Sequence, residues 1–242
     1  EAEIDADGRR QARLSMSARS RVGGLRCVLE CLEDRGNRAA VLRSAEAFGL
    51  LHIHEVLCEN VKGRGIANGG EKWLMVHQHQ SAQECVACLR TAGFLIFAAV
   101  AAPSAIPAGR CWSKAEISST EDSAGTDIIP LESLDFGRPT ALVFGNESLG
   151  VSREMRAACD GAFTISMRGL SESLNVSVAA AIALHWGRVA REAWLARNRP
   201  REDSAVGDGD LTTEELEELE EEYRQRSQDH GFQRRQRWQA QG

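Results

Sequence analysis

Apolar positions along the chain fall into short runs separated by amphipathic stretches. Leu25–Leu32 is the first run. Val22, Leu25, Leu29 and Leu32 also have helical spacing, but the run is short and lies between Gly23-Gly24 and Asp34-Arg35-Gly36-Asn37. Those bounds favour a buried strand. Asn37 is placed to cap a helix with an apolar face of Ala40, Val41, Ser44, Ala45 and Phe48, ending at Gly49. His52–Cys58 and Trp73–Val76 read as strands, Ser81–Ala92 as an amphipathic helix and Phe94–Val100 as another apolar strand. Ala101–Asp135 carries Pro103, Pro107, Gly109, Gly125 and Pro130 and reads as a loop between two patterned halves. In the second half Ala141–Phe144 is an apolar strand stopping at Gly145. Ser152–Cys159 follows as a helix, Ala162–Ser166 as a strand, and Ser173 to about Arg197 as a long alanine-rich helix. Arg199–Asp210 has linker composition. Leu211–Gln228 is a charged helix with Thr212 or Thr213 as cap and few apolar anchors, hence peripheral. Residues 1–20 are polar and rich in Arg and Ser, with partial helix at most.

Strands that alternate with helices, and that are apolar nearly throughout, predict an α/β fold: a mainly parallel sheet with helices on both faces. The 242 residues suit one such domain with flanking segments. Its longest apolar run, Phe94–Ala102, is half of the ~18 residues a membrane span needs, so no membrane association is expected.

Charge divides the chain. Residues 201–242 hold 12 of the 35 acids and six of the 29 Lys and Arg, leaving 23 of each sign in residues 1–200. Between residues 8 and 45, nine arginines stand against Glu30, Glu33 and Asp34 alone. A pI near 5.6 therefore does not exclude nucleic acid, since a local basic patch is what meets phosphate. Seven scattered cysteines, an odd number, read as reduced thiols in an intracellular compartment. The chain opens on Glu1 rather than Met, so both the cytoplasm and an organelle reached by a removed presequence are expected compartments.

Common signatures of chemistry are missing. No G-x-G-x-x-G follows a strand, and Gly145-Asn-Glu-Ser-Leu-Gly150 lacks the Lys of a phosphate loop. His77, His79, Cys85 and Cys88 raise zinc, but Cys85, Cys88 and Leu89 fall on the core side of a helix and read as packing residues; no metal is expected. Three other segments stand out by order and spacing. Asn37-x5-Arg43-x5-Gly49 is the first. An apolar strand running into Gly145-Asn146-Glu147 and Gly150 is the second. Ile165, Met167 and Gly169, followed by Ser173-Leu174-Asn175-Val176-Ser177 and Ala179, is the third.

These segments resemble the three signature motifs of the SpoU/TrmH-type RNA ribose 2′-O-methyltransferases of the SPOUT superfamily, over residues 22–195. Ser166 stands where the family usually has Pro, and Ser148 where it usually has Gly. The resemblance implies a dimeric α/β fold with a C-terminal deep trefoil knot over residues 22–198. Residues 1–21 would be an Arg-rich extension, and 199–242 a linker with an acidic helical tail. It implies S-adenosyl-L-methionine as cofactor, bound by Ala99, Gly145, Ile165, Met167 and Leu174. It implies an RNA substrate, with a tRNA guanosine ribose first, ribosomal RNA second, and a non-catalytic RNA-binding paralogue as the rival from another class. Arg43 would activate and orient the 2′-hydroxyl. Asn37 would orient Arg43 or the ribose, Glu147 would hold the loops together, and Ser173 and Asn175 would hold the hydroxyl or shape the knot. RNA would lie on the Arg-rich N-terminal segment and on Arg188, Arg191, Arg197, Arg199 and Arg201, with the acidic run Glu214–Glu222 lying away from it or pairing with arginines in the free enzyme.

Overall fold

The computed structural model describes residues 6–58, 71–101, 128–198 and 209–239. Seven strands form one sheet: β1 (Leu25–Glu30), β2 (His52–Val56), β3 (Met75–His79), β4 (Leu95–Ala99), β5 (Ile128–Pro130), β6 (Thr140–Phe144) and β7 (Gly161–Thr164). Their order is β3-β2-β1-β6-β4-β7-β5, and every pairing is parallel. Among the described residues six helices accompany them: α1 (Ala6–Arg19), α2 (Arg35–Ala47), α3 (Ala82–Thr91), α4 (Arg153–Ala158), α5 (Val176–Asn198) and α6 (Thr213–Gln239).

The period-two alternation of the strands sends neighbouring residues to opposite faces. On one face Leu25, Cys27 and Leu29 of β1 join Leu142 and Phe144 of β6 beneath Val41, Leu42 and Ala45 of α2 and Ala180, Ala183 and Leu184 of α5. On the other, Val28, Ala141, Val143 and Ala98 meet Cys85, Val86 and Leu89 of α3 and Met155 of α4. Both faces are dry, which is why the strands read as unbroken apolar runs.

Several boundaries differ from the sequence expectation, each for a physical reason. Asp34, not Asn37, caps α2: its carboxylate accepts from the Asn37 N–H at 2.7 Å, which leaves the Asn37 amide side chain for other partners. Trp73 lies in a 3₁₀ turn ahead of β3. Ser173 and Asn175 precede α5 rather than lying in it; the Asn175 side chain accepts from the Ser177 N–H at 2.8 Å and so holds the helix start. Within the expected loop, Ile128–Pro130 is a strand at the sheet edge, where a residue without an N–H is tolerated. Residues 102–127 of that loop, and the linker residues 199–208, lie outside the described residues.

The two flanking helices are not loose. α1 runs its full length and packs against α6, where Leu216, Leu219 and Tyr223 bury against Ala18 and Leu51, with Trp73 beside them. Ser15 donates to Glu220 at 2.6 Å, and Tyr223 donates to the Trp73 carbonyl at 2.9 Å. A capping box, with the Glu215 N–H on Thr212 Oγ1 and the Thr212 N–H on Glu215 Oε2, opens α6. The charged helix thus covers one end of the sheet with three apolar anchors. Cys31 and Cys58 correct the expectation of thiols throughout: they form a disulfide between the ends of the neighbouring strands β1 and β2, with Cα atoms 5.4 Å apart. Cys27, Cys85, Cys88 and Cys159 are free.

Candidate active site

Parallel sheets present their sites at the carboxyl ends of the strands. Here β4, β6 and β7 end side by side, and the segments that leave them wall a cavity of about 560 Å3, within the ~300–1,000 Å3 usual for small-ligand sites. Ala99, Gly145, Ile165, Met167 and Leu174, the five expected cofactor residues, all line it, as do Glu147, Ser173 and Asn175.

The loop after β6 is the tightest of these segments. The Asn146 and Gly150 backbones exchange hydrogen bonds at 2.9 and 3.0 Å, and Gly150 has φ +68°. A Cβ on Gly145 would lie 2.2 Å from backbone atoms of Gly150 and Val151, so glycine alone fits. The Asn146 side chain folds the loop from inside, accepting from the Ser148 and Leu149 N–H groups and donating to the Cys31 carbonyl at 3.1 Å.

Glu147 joins this loop to the first motif. Its carboxylate accepts from the Asn37 side-chain amide at 3.1 Å and from the Glu33 and Asp34 N–H groups at 3.1 and 3.2 Å. Asn37 Oδ1 accepts in turn from the Asn175 amide at 3.0 Å. One chain of hydrogen bonds therefore runs Glu147–Asn37–Asn175 and ties together segments 110 and 138 residues apart. Partial burial pushes the Glu147 carboxyl upward, but the hydrogen bonds from Asn37, Glu33, its own backbone and Asp34 outweigh it and leave it below the ordinary carboxylate value. The tie is thus complete above the unfolded-state value and is lost as pH falls through the lowered one.

Of the five expected catalytic residues, Glu147, Ser173 and Asn175 line the cavity and Asn37 is hydrogen-bonded to Glu147 and Asn175; Arg43 is not among them. It lies on the exposed side of α2, outside the cavity wall, with no hydrogen bond or ion pair among the described residues. Six residues from Asn37 is 600° of helix rotation, which carries Arg43 about a third of a turn off the Asn37 face. Two residues escaped the sequence reading. Thr164, at the end of β7, lines the cavity with a buried hydroxyl that has no hydrogen-bond partner among the described residues. Glu30 accepts from both the N–H and the hydroxyl of Ser152, at 2.8 and 2.6 Å, and so fixes α4 behind the loop. A polar residue ending an apolar strand was the signal for each.

Several arginines expected to face RNA are occupied. Arg191 is buried, paired with Asp210, and donates to the Phe136 carbonyl at 3.0 Å. Arg21 is buried against Glu46 and the Leu50 carbonyl, and Arg38 bridges Glu55 and Glu71. Arg188 pairs with Glu192 and Arg19 with Glu220. Arg9, Arg13 and Arg197 are exposed. Arg199 and Arg201 lie outside the described residues.

The fold and site define an α/β protein whose parallel sheet ends in a loop-walled pocket for a small ligand, with a polar relay at its mouth. Comparison with known proteins agrees with that class and makes it specific. The SpoU rRNA Methylase family matches residues 24–185. The tRNA (guanosine(18)-2′-O)-methyltransferase of Thermus thermophilus is 31% identical over 199 residues, covering 80% of this chain and 89% of that one. The human mitochondrial rRNA methyltransferase 1 is 34% identical over 169 residues, 65% of this chain and 43% of that one. Among solved structures, the Aquifex aeolicus TrmH/SpoU tRNA modifying enzyme superposes with a TM-score of 0.67 at 25% identity, covering 91% of this chain and 96% of that one. The fold is also that of the Streptomyces viridochromogenes SpoU methyltransferase AviRb, solved in complex with AdoMet, at a TM-score of 0.53 and 21% identity. The chain belongs to the SpoU RNA methylase family.

Proposed function

We propose that this chain transfers a methyl group from S-adenosylmethionine to a ribose 2′-hydroxyl of RNA, with guanosine 18 of tRNA as the target. The observation that carries the reading is the Glu147–Asn37–Asn175 relay, which joins all three motif segments at the mouth of one cavity. The match to tRNA (guanosine(18)-2′-O)-methyltransferases over most of the chain supports the substrate. When bound, S-adenosylmethionine supplies an electrophilic methyl on a sulfonium. The residues present fit it: Ile165, Leu174 and Ala99 offer apolar walls, Gly145 lets backbone approach closely, and the Thr164 hydroxyl has no partner to give up among the described residues.

The protein's share of the chemistry is positioning and charge. A guanidinium keeps its proton at neutral pH, so Arg43 orients the ribose and its flanking phosphate and stabilises the negative charge that grows on the 2′-oxygen, while the hydroxyl proton passes to that phosphate or to water. Its exposed place on α2 leaves it open to an RNA phosphate. Asn37 and Asn175 position the hydroxyl; Ser173, exposed at the rim, donates to it. Glu147 is a positioning residue that acts through Asn37.

The trefoil knot belongs to this reading. After β4 the chain passes beyond β7 to the edge strand β5, returns to β6 between β1 and β4, then comes back to β7 between β4 and β5. That doubling back is what threading one segment through another requires. The domain core of residues 22–198 and the homodimer belong to it as well. Val178, Ile182, Trp186 and Val189 make a stripe at helical spacing on α5, each at least 41% exposed, and such a stripe marks an interface. Trp186→Glu is expected to convert a dimer to a monomer in sedimentation velocity; an unchanged sedimentation coefficient at micromolar concentration would place the interface elsewhere.

Methyl transfer from labelled S-adenosylmethionine to unmodified tRNA tests the whole. Label is expected on unmodified tRNA and absent from tRNA already 2′-O-methylated at guanosine 18. Arg43→Ala should cut the rate by roughly 10²–10³-fold. Transfer to ribosomal RNA alone would displace the tRNA assignment, and failure to bind cofactor would leave an RNA-binding paralogue.

A further inference from the structure

Four histidines line the α3 side of the sheet edge opposite the cofactor cavity. The register sets His54 against His77 and Val56 against His79, so His52, His54, His77 and His79 share one face. Their rings stack across the two strands, at 4.7 Å between His54 and His77 and 5.2 Å between His54 and His79. His52 Nδ1 lies 2.9 Å from His77 Nε2, and His54 Nδ1 lies 2.9 Å from His79 Nε2. The two pairs are not equivalent. Above the second sits Cys85, one turn into α3, and the ligand atoms of His54, His79 and Cys85 lie within 4.8 Å of one another, all three residues buried.

We propose that His54, His79 and Cys85 form a zinc(II) site that fastens the β2–β3 edge to α3. Two imidazoles and a thiolate are a donor set suited to zinc, which takes nitrogen and sulfur ligands at roughly 2.0 and 2.3 Å. A tetrahedral ion with those bonds holds its ligands about 3.3–3.6 Å apart, and the three donor atoms already lie within 4.8 Å of one another, so the site closes by shifts of about an ångström or less at each. The Glu84 carboxylate, with Oε1 3.8 Å from His79 Nδ1 and a half-exposed side chain, stands where it can complete the coordination or orient His79.

A second observation marks this cluster as unfinished without an ion. His54 is fully buried, yet its Nε2 has no hydrogen-bond partner among the described residues. Buried nitrogens are rarely left so, because the group loses water and gains nothing. A neutral imidazole is the form that offers a lone pair to a metal. On binding, the Cys85 thiol proton leaves to buffer. Each imidazole binds neutral, with its one proton on the ring nitrogen that does not hold zinc, so one proton is released per zinc.

This site is distinct from the pairing that sequence spacing brings to mind. Cys88 is exposed and outside the group, and His77 faces His52. His54, separated from His79 by 24 residues of sequence, takes their place. None of the three residues lines the cofactor cavity.

Cobalt(II), which reports a thiolate ligand by its charge-transfer absorption, is the probe. The full chain, titrated with cobalt(II) chloride under argon, should develop intense tetrahedral bands that saturate at one equivalent and vanish on adding one equivalent of zinc chloride. Cys85→Ser should abolish the charge-transfer band while circular dichroism shows a folded protein; Cys88→Ser and Cys58→Ser should leave it in place. Should Cys85→Ser fail to fold, His54→Gln in the same titration should weaken cobalt affinity at least tenfold. Absence of tetrahedral bands in the unaltered chain, a band that survives Cys85→Ser, or unchanged affinity in His54→Gln would each overturn the site.

Discussion

Gly145→Ala is expected to abolish binding of S-adenosylmethionine while the far edge of the sheet stays folded. The added methyl would sit 2.2 Å from the Gly150 carbonyl group and the Val151 nitrogen, about half the separation at which carbon atoms meet comfortably. Those neighbours are backbone, held by the paired Asn146–Gly150 hydrogen bonds, so no side chain can swing aside. The loop must open, and with it go the cavity wall and the place from which Glu147 reaches Asn37. Calorimetry should register a loss of at least 100-fold in affinity, about 2.8 kcal/mol. Affinity within threefold of the original would mean that the ligand is held elsewhere.

Arg191→Ala should produce the largest loss of stability of any arginine substitution. Arg191 reaches from α5 to Asp210 and to the Phe136 carbonyl, and Asp210 also accepts from the Gly23 and Gly24 N–H groups ahead of β1. Removing the guanidinium strands a nearly dry carboxylate. Breaking one partner of such a pair costs about 3–5 kcal/mol, and thermal denaturation should fall by on the order of 10 °C. Arg197→Ala, at an exposed position of the same helix, should shift the midpoint by less than about 2 °C. Equal midpoints for the two variants would show that the pair contributes no net stability. Deletion of residues 207–242 removes Asp210 and the three apolar anchors of α6 together, so a change in RNA affinity on deletion reports lost structure rather than lost acidity.

The strands and main helices were legible because two dry faces force apolar continuity on β1, β4 and β6, and because Ser81 and Ser152 cap α3 and α4 where a sequence reading puts them. β5 was not legible, since three residues ending in proline carry no period. The site was legible through glycines and short polar side chains whose spacing the backbone dictates: Gly145, Glu147, Asn175. What spacing could not supply was company. Nothing in the sequence says that Arg191 turns inward, that Asp34 pre-empts Asn37 as cap, or that His54 rather than His77 meets His79. Those outcomes depend on which of several similar side chains finds a partner across the sheet, and that is decided by register.

The central place of β6 bears on how the chain reaches its native state. β6 lies between β1 and β4, yet it begins 115 residues after β1 does. At translation rates of ~5–20 residues per second, β1, β2 and β3 emerge on the order of ten seconds before the strand that completes the middle of their sheet. During that interval the inner edge of β1, with Cys27 and Leu29, is an open template for other chains, and pairings so distant in sequence close slowly. A ribosome pausing between β4 and β6 would lengthen the interval, and a holdase that covers an unpaired apolar strand would find its substrate there.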